Sequence, residues 1–324
     1  MEMSLDDLRQ AADLVYQHMP PTPQHSWPQL SRRMGCDVVV KHENHAPTGA
    51  FKVRGGLTYL DWLRRTHPEV TGICTATRGN HGQSQARAAT AHGLRSVIYV
   101  PHGNSVEKNA AMRAYGAELV EIGSDFDAAR VAAMEAAKRE GLAFVPSFHP
   151  ELVRGVATYG FELFTAAPDL DTVYVPIGLG SGICGTILAR DAMGLATEVV
   201  GVVSSQAPAA QRSVAAGRVV ETNDARTFAD GIATRIPVRA AFDIYAAGAA
   251  RVITVDDADI AEAMRALYSD THNLAEGAGA AALAGLMKER AAMQGKRVGI
   301  ILSGGNIDAP WFVEVMQGGV PEVA

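Results

Sequence analysis

Cysteines, aromatic rings and long apolar runs are all scarce in this chain. Its three cysteines, Cys36, Cys74 and Cys184, form no C-x-x-C pair and cannot all be bridged, so buried free thiols are expected rather than a disulfide framework. Ten histidines show no H-x-x-x-H spacing. The close pair His42 and His45 has no cysteine or third histidine beside it in sequence, so no metal-centred chemistry is expected. The longest apolar run, residues 278–287, is broken by glycines and is too short to cross a bilayer. Acidic residues outnumber basic ones, 35 to 29, with the signs interspersed for a formal net charge of -6. That excludes the basic patch a nucleic-acid backbone requires. Residues 1–19 carry acids and no apolar stretch, the wrong pattern for a secretory leader, so a cytoplasmic location is expected.

What the chain does have is aliphatic bulk. Hydrophobic residues make up 48% and aromatics only 6%, so the core must be built of Val, Ile, Leu and Ala. At 324 residues, two domains or one large α/β unit are the natural sizes. Short β-branched runs at 38–41, 96–100, 118–122, 172–175, 199–203, 251–255 and 297–302 alternate with Ala-rich segments. That rhythm predicts parallel strands covered on both faces by helices. Segments 127–139, 257–269 and 276–290 read as helices, and Asp256, Asp257 and Asp259 fall where acids favour a helix start. No repeat, low-complexity stretch or Pro/Ser-rich linker divides the chain, so two domains would be interwoven by several crossings, with ligand in the cleft between them. In open parallel sheets that position lies at the carboxyl ends of strands.

Four loops of that kind carry unusual residues. In Pro47-Thr48-Gly49-Ala50-Phe51-Lys52-Val53-Arg54-Gly55 a lysine sits in an apolar frame, where burial would favour its neutral amine and make it a nucleophile or base. Taken alone, it equally suits an exposed lysine at a helix start. Gly178-Leu179-Gly180-Ser181-Gly182 follows a strand and precedes a helix, a setting in which backbone amides can hold an anion. It is neither the dinucleotide G-x-G-x-x-G nor a P-loop. Thr77-Arg78-Gly79-Asn80-His81-Gly82-Gln83 offers amides and polar side chains for a carboxylate or phenolic oxygen, or is simply a capped turn. Ser303-Gly304-Gly305-Asn306 places a hydroxyl at another strand end, where it could also serve as an N-cap.

Taken together and in this order, the four loops resemble those of the fold type II pyridoxal-phosphate enzymes, in the threonine/serine dehydratase and serine racemase branch. The resemblance implies a tryptophan synthase β-like α/β fold: two open, mainly parallel sheets flanked by helices, with pyridoxal 5'-phosphate in the interdomain cleft. The large cofactor domain would comprise residues 1–71 and 149–324, and the small substrate domain residues 72–148. The resemblance further implies that Lys52 forms the Schiff base with the cofactor and later removes the substrate Cα proton. Phe51 would wall the ring and Asn80 would bond its phenolic oxygen. Amides of Gly178, Leu179, Gly180, Ser181 and Gly182 would hold the phosphate, and Ser303 would face the ring nitrogen. A neutral hydroxyl there makes a milder electron sink than a carboxylate would, favouring loss of a β-substituent over transamination. Thr77, Arg78, Gly79 and His81 would bind the substrate, and Glu276 would lie near the cofactor unless it merely caps its helix.

Several positions depart from the family pattern. Arg78 stands where the branch commonly has serine or alanine, and a guanidinium cannot replace the racemases' second acid/base serine. It could instead bind a substrate carboxylate, or point into solvent. Val203-Ser204-Ser205 lacks the acid of the branch's divalent-cation site, so no metal is expected there. Leu179 and Ser181 replace glycines of the commonest phosphate loop, which backbone donors tolerate. Only residues 307–324 follow the Ser303 loop, so no C-terminal regulatory module and a catabolic role are expected. The expected activity is dehydration of a β-hydroxy L-amino acid, threonine- or serine-like or bulkier, to a 2-oxo acid and ammonia by a homodimer. A racemase, a β-replacement enzyme and a non-catalytic binder are the alternatives. The pocket is expected to take its shape from loops at 147–155 and 227–239.

Overall fold

The computed structural model of the chain describes residues 1–323. The β-branched runs become strands: β1 (Gln24–Ser26), β2 (Asp37–His42), β3 (Gly72–Ala76), β4 (Arg95–Val100), β5 (Glu118–Glu121), β6 (Ala143–Phe144), β7 (Thr172–Pro176), β8 (Glu198–Ser204), β9 (Arg251–Val255) and β10 (Arg297–Leu302). They form a six-stranded sheet in the order β1-β2-β10-β7-β8-β9 and a four-stranded sheet in the order β5-β4-β3-β6. Every pairing is parallel except β1 with β2. All strands of the smaller sheet lie between Gly72 and Phe144, while the larger sheet draws strands from both sides of that segment. The chain therefore leaves one unit, builds the other and returns.

Helices cover both faces of the larger sheet. Helix Gly277–Lys288, apolar all round, packs on one face against Tyr174, Val200 and Val202. Helices Pro150–Ala166 and Ser181–Ala192 pack on the other against Val173, Val175 and Val199. The acids at 256–259 form a capping box at the start of helix Asp257–Thr271: the Asp256 side chain accepts from the N3 amide and the Asp259 side chain from the Asp256 amide. Ser205 Oγ also donates to Asp256, and Ser204 Oγ lies 3.3 Å from Asp257 Oδ1. The two serines after β8 are thus tied to this helix start. All three cysteines are buried and free. No helix among the described residues is long and apolar enough to cross a membrane.

One expectation fails. Residues 147–155 are not a loop throughout, because helix Pro150–Ala166 begins there, with Pro150 in the first turn and His149 accepting from the Glu151 amide at 3.2 Å. Proline suits that position because the missing N–H would have no helical acceptor there anyway. The helix crosses helix Lys52–Thr66 so closely that a Cβ on Gly155 would lie 2.2 Å from the Arg54 carbonyl oxygen. Only glycine admits that approach, and it fixes the helix that carries the candidate lysine.

Candidate active site

Lys52 is the first residue of helix Lys52–Thr66, reached from β2 through the 3-10 turn Glu43–His45. The loop before it is joined to the loop after β10, the neighbour of β2. Phe51 N donates to Ser303 O at 3.1 Å, Gly305 N donates to Gly49 O at 2.9 Å, and Ala50 bridges Gly304. Sheet order therefore brings Lys52 beside Ser303. Helix Gly277–Lys288 presses on this junction, where a Cβ on Gly279 would meet Gly304 O at 2.1 Å. The partly buried Lys52 amine lies 4.9 Å from the Phe51 ring centroid. Burial lowers its pKa to about 8, against the opposing pull of the Glu276 carboxylate.

Behind this lysine lies a closed network of buried charges. Arg54 donates to Glu43 Oε2 at 2.8 Å and Oε1 at 3.0 Å, and to Glu162 Oε1 at 2.6 Å and Oε2 at 2.8 Å. Its remaining bonds run to Thr158 and Thr22. Lys41 Nζ completes the network at 2.5 Å from Glu162 Oε2. Two bidentate pairs on one guanidinium hold the first turn of the lysine helix to the 3-10 turn after β2 and to helix Pro150–Ala166.

The glycine-rich loop after β7 opens helix Ser181–Ala192, with Gly180 at φ 101°, in the left-handed region that favours glycine. The amides of Gly178, Leu179, Gly180, Ser181 and Gly182 donate to no acceptor among the described residues; the first helical bond runs from Cys184 N to Gly180 O at 3.0 Å. A cluster of free donors at a helix start is an anion cradle. Tyr159, which the sequence did not mark, braces it: its hydroxyl donates to Gly182 O at 2.7 Å and its ring stands at 90° to Phe51.

The loop after β3 supplies the third wall. Thr77 Oγ1 accepts from Gly79 N at 2.9 Å and Gly82 N at 3.2 Å, while the Asn80 and His81 amides have no acceptor among the described residues. His81 is buried; burial and then the nearby Lys52 cation lower its pKa to about 3, so its ring is neutral at ordinary pH. Asn80 Nδ2 donates to Glu276 Oε1 at 2.7 Å, and Asn80 Oδ1 accepts from Asn306 Nδ2 at 2.8 Å. Glu276 occupies the N-cap position of its helix but makes no side-chain capping bond there. Burial raises its carboxyl to about 7, and Lys108 opposes that rise. Arg78 is the outlier of the group, exposed and without an ion pair among the described residues.

Contacts therefore join the Lys52, Ser303 and Asn80 loops to one another and to Glu276, and Phe51 with Tyr159 links them to the Gly178 loop. Lys108 and Asp230, which lie 122 residues apart, join Glu276 in the same cleft. No spacing in the sequence marks either residue. The donors fit pyridoxal phosphate: free amides for its phosphate, a partly buried amine of depressed pKa for its aldehyde carbon, and a buried hydroxyl at Ser303. Together they give an α/β protein with a partly buried lysine and an anion cradle in one cleft.

Comparison with known proteins places that class in a family. Residues 15–304 match the family described as pyridoxal-phosphate dependent enzyme. The chain is 37% identical over 293 residues to the L-threonine ammonia-lyase of Geobacter sulfurreducens, covering 90% of this chain and 72% of that protein. It is 28% identical over 313 residues to the L-threo-3-hydroxyaspartate ammonia-lyase of Saccharomyces cerevisiae, covering 96% of each. Maize serine racemase superposes with a TM-score of 0.91 at 25% identity, over 98% of both chains. This chain belongs to the pyridoxal-phosphate dependent enzymes, in the fold type II branch of threonine/serine dehydratases and serine racemases.

Proposed function

We propose that this protein is a dehydratase (ammonia-lyase) that converts a β-hydroxy L-amino acid, threonine- or serine-like or bulkier such as 3-hydroxyaspartate or 3-phenylserine, into a 2-oxo acid and ammonia. In the net reaction water leaves and is taken up again, so the β-hydroxyl and the amine are exchanged for one ketone oxygen and ammonium. When bound, pyridoxal phosphate supplies the electron sink for the charge that develops at Cα. The chain's residues supply the rest. Lys52 Nζ, neutral for a useful fraction of molecules near neutral pH, takes the Cα proton. The free amides of Asn80 and His81, with the Thr77 hydroxyl, hold the substrate carboxylate and so decide which Cα bond stands in line for cleavage. Asn80, oriented by Glu276 and Asn306, presents its amide to the phenolic oxygen, and the Gly178–Gly182 amides hold the phosphate.

The observation that favours dehydration over racemisation is the lack of a second proton carrier in the substrate loop. Thr77 Oγ1 already accepts two amides, Arg78 is an exposed guanidinium, and burial holds His81 at about 3, too weak a base to carry a proton near neutrality. The small domain of residues 72–148 and the large domain made from the rest are part of this reading, supported by the division of the strands between the two sheets. So are a cytoplasmic location and a homodimer, the latter supported by the exposed apolar side chains of Tyr268, Leu274 and Val313 and open to test by sedimentation. The test of function is keto-acid release from L- and D-forms of threonine, serine, 3-hydroxyaspartate and 3-phenylserine, comparing the wild type with Lys52→Ala. Turnover of an L-form that vanishes in the variant is expected. Release of the opposite enantiomer without keto acid would overturn the reading in favour of a racemase.

A further inference from the structure

Lys108 is a buried cation that the reaction described above does not use. It projects from helix Val106–Ala114 of the smaller unit, and its stem fills the space a side chain on Gly79 would occupy: a Cβ there would lie 2.3 Å from Lys108 Cδ. Its ammonium crosses the cleft to two carboxylates of the larger unit, 2.5 Å from Asp230 Oδ2 and 3.6 Å from Glu276 Oε2. Glu276 Oε2 is buried and has no hydrogen bond of its own. Two further contacts cross at the same place: Ser105 Oγ with Asp308, and Ala309 N donating to Glu107 Oε1 at 2.9 Å. The cleft is thus drawn together along one edge by polar contacts, and the only cation among them touches the acid that orients Asn80.

We propose that Lys108 is a positioning residue that latches the smaller unit onto Asp230 and holds Glu276 as the carboxylate that accepts from Asn80, so that closing the cleft and orienting the cofactor's partner are one event. Removing the cation would raise the proton affinity of Glu276 further, and a carboxylic acid no longer has the same claim on the Asn80 amide. The charged groups facing Glu276 are Lys108 from helix Val106–Ala114, Asp230 from the turn Asp230–Ile232 and Lys52 from its own helix; Asp308 lies near Lys108. Lys108 lowers the affinity of Glu276 for a proton and Asp230 raises it. The two partners of one ion pair therefore act on Glu276 with opposite sign, which a purely structural contact would not do.

The inference rests on reading Lys52 and Asn80 as cofactor residues, and its test needs no turnover. The visible absorbance of bound pyridoxal phosphate is titrated against pH in wild-type, Lys108→Met, Lys108→Arg and Asp230→Asn holoenzymes, and hydrogen exchange is measured over residues 106–114. Both Lys108→Met and Asp230→Asn break the latch, so exchange over that helix rises in both. The acid limb of the titration moves up by about one unit, a tenfold change in proton affinity, in Lys108→Met and down in Asp230→Asn, while Lys108→Arg stays near wild type. Shifts of the same sign, no shift, or unchanged exchange would overturn the proposal. If Lys108→Met fails to fold, Lys108→Gln takes its place and must move the limb upward. A holoenzyme that turns over no substrate still gives the titration, so failure of the latch and failure of the dehydratase reading are distinguishable.

Discussion

Arg54→Met separates the charge network behind Lys52 from the rest of the fold. The guanidinium is fully buried and makes six hydrogen bonds, four of them to carboxylate oxygens of Glu43 and Glu162. Methionine approximates its stem but leaves two buried carboxylates with Lys41 as their one cation. Breaking a buried pair on one side costs about 3–5 kcal/mol, because the stranded charge keeps its desolvation penalty. At about 2–4 °C per kcal/mol the melting temperature should fall by roughly 6–20 °C. The sign of the pH dependence follows from Glu162. Burial pushes its carboxyl up, but Arg54 and Lys41 outweigh burial and hold it below the usual range. The stability it contributes is therefore present above the unfolded carboxyl value of about 4.3 and is lost as pH falls through the lower folded value. In the variant Glu162 protonates more readily, so the deficit should narrow as pH falls from 7.5 towards 4. Thermal unfolding followed by circular dichroism across that range measures both effects, with Arg9→Met, which removes an exposed i,i+3 pair, as the control expected to change stability by less than about 1 kcal/mol. A loss below about 1 kcal/mol, or a deficit independent of pH, would refute the reasoning.

Two further predictions concern the lysine and its junction. The rate at which apoprotein takes up pyridoxal phosphate should rise with pH to a midpoint near 8, and Glu276→Gln should lower that midpoint because the carboxylate favours the Lys52 ammonium; stopped-flow absorbance reads both, and a midpoint unmoved by the substitution would contradict the electrostatic coupling. Gly279→Ala puts a methyl 2.1 Å from a backbone oxygen that cannot swing aside, so a cost of about 1–3 kcal/mol and weaker cofactor retention are expected, measured by thermal melts and by dialysis of the holoenzyme.

The strands were legible because both faces of each sheet are covered, which leaves near-continuous Val/Ile runs. The segments 251–255 and 297–302 coincide with β9 and β10, whereas β1 and β6, three and two residues long, are too short to show a pattern. The four loops were legible because glycine and small polar residues at strand ends break that apolar rhythm. Helix Pro150–Ala166 was hidden by its opening Pro-Glu and by the glycines it needs for close packing. Cross-chain electrostatics left no local trace. Nothing near Lys108 in sequence announces Asp230, and Glu276 could as well have been a capping residue until its carboxylate was seen to turn away from its own helix towards Asn80.

The two buried ionic clusters differ in balance, and the difference bears on the lysine between them. On the inner side, Lys41 and Arg54 match Glu43 and Glu162 charge for charge, so this cluster can hold the helix start while exerting little net field on Lys52. On the cleft side, Lys108 faces two acids, Asp230 and Glu276, and the excess is negative wherever Glu276 is ionised. Burial drives Lys52 towards its neutral amine; the Glu276 carboxylate opposes it, and the resulting value near 8 leaves both forms accessible near neutrality. On the proposed reading, a base that takes a proton from Cα and gives it up again gains from that intermediate position, since a lysine of much lower proton affinity would not hold the proton and a fully charged one could not accept it. The proton affinity of Lys52 is therefore set first by burial and then by Glu276 across the cleft, and its position by the balanced cluster behind it.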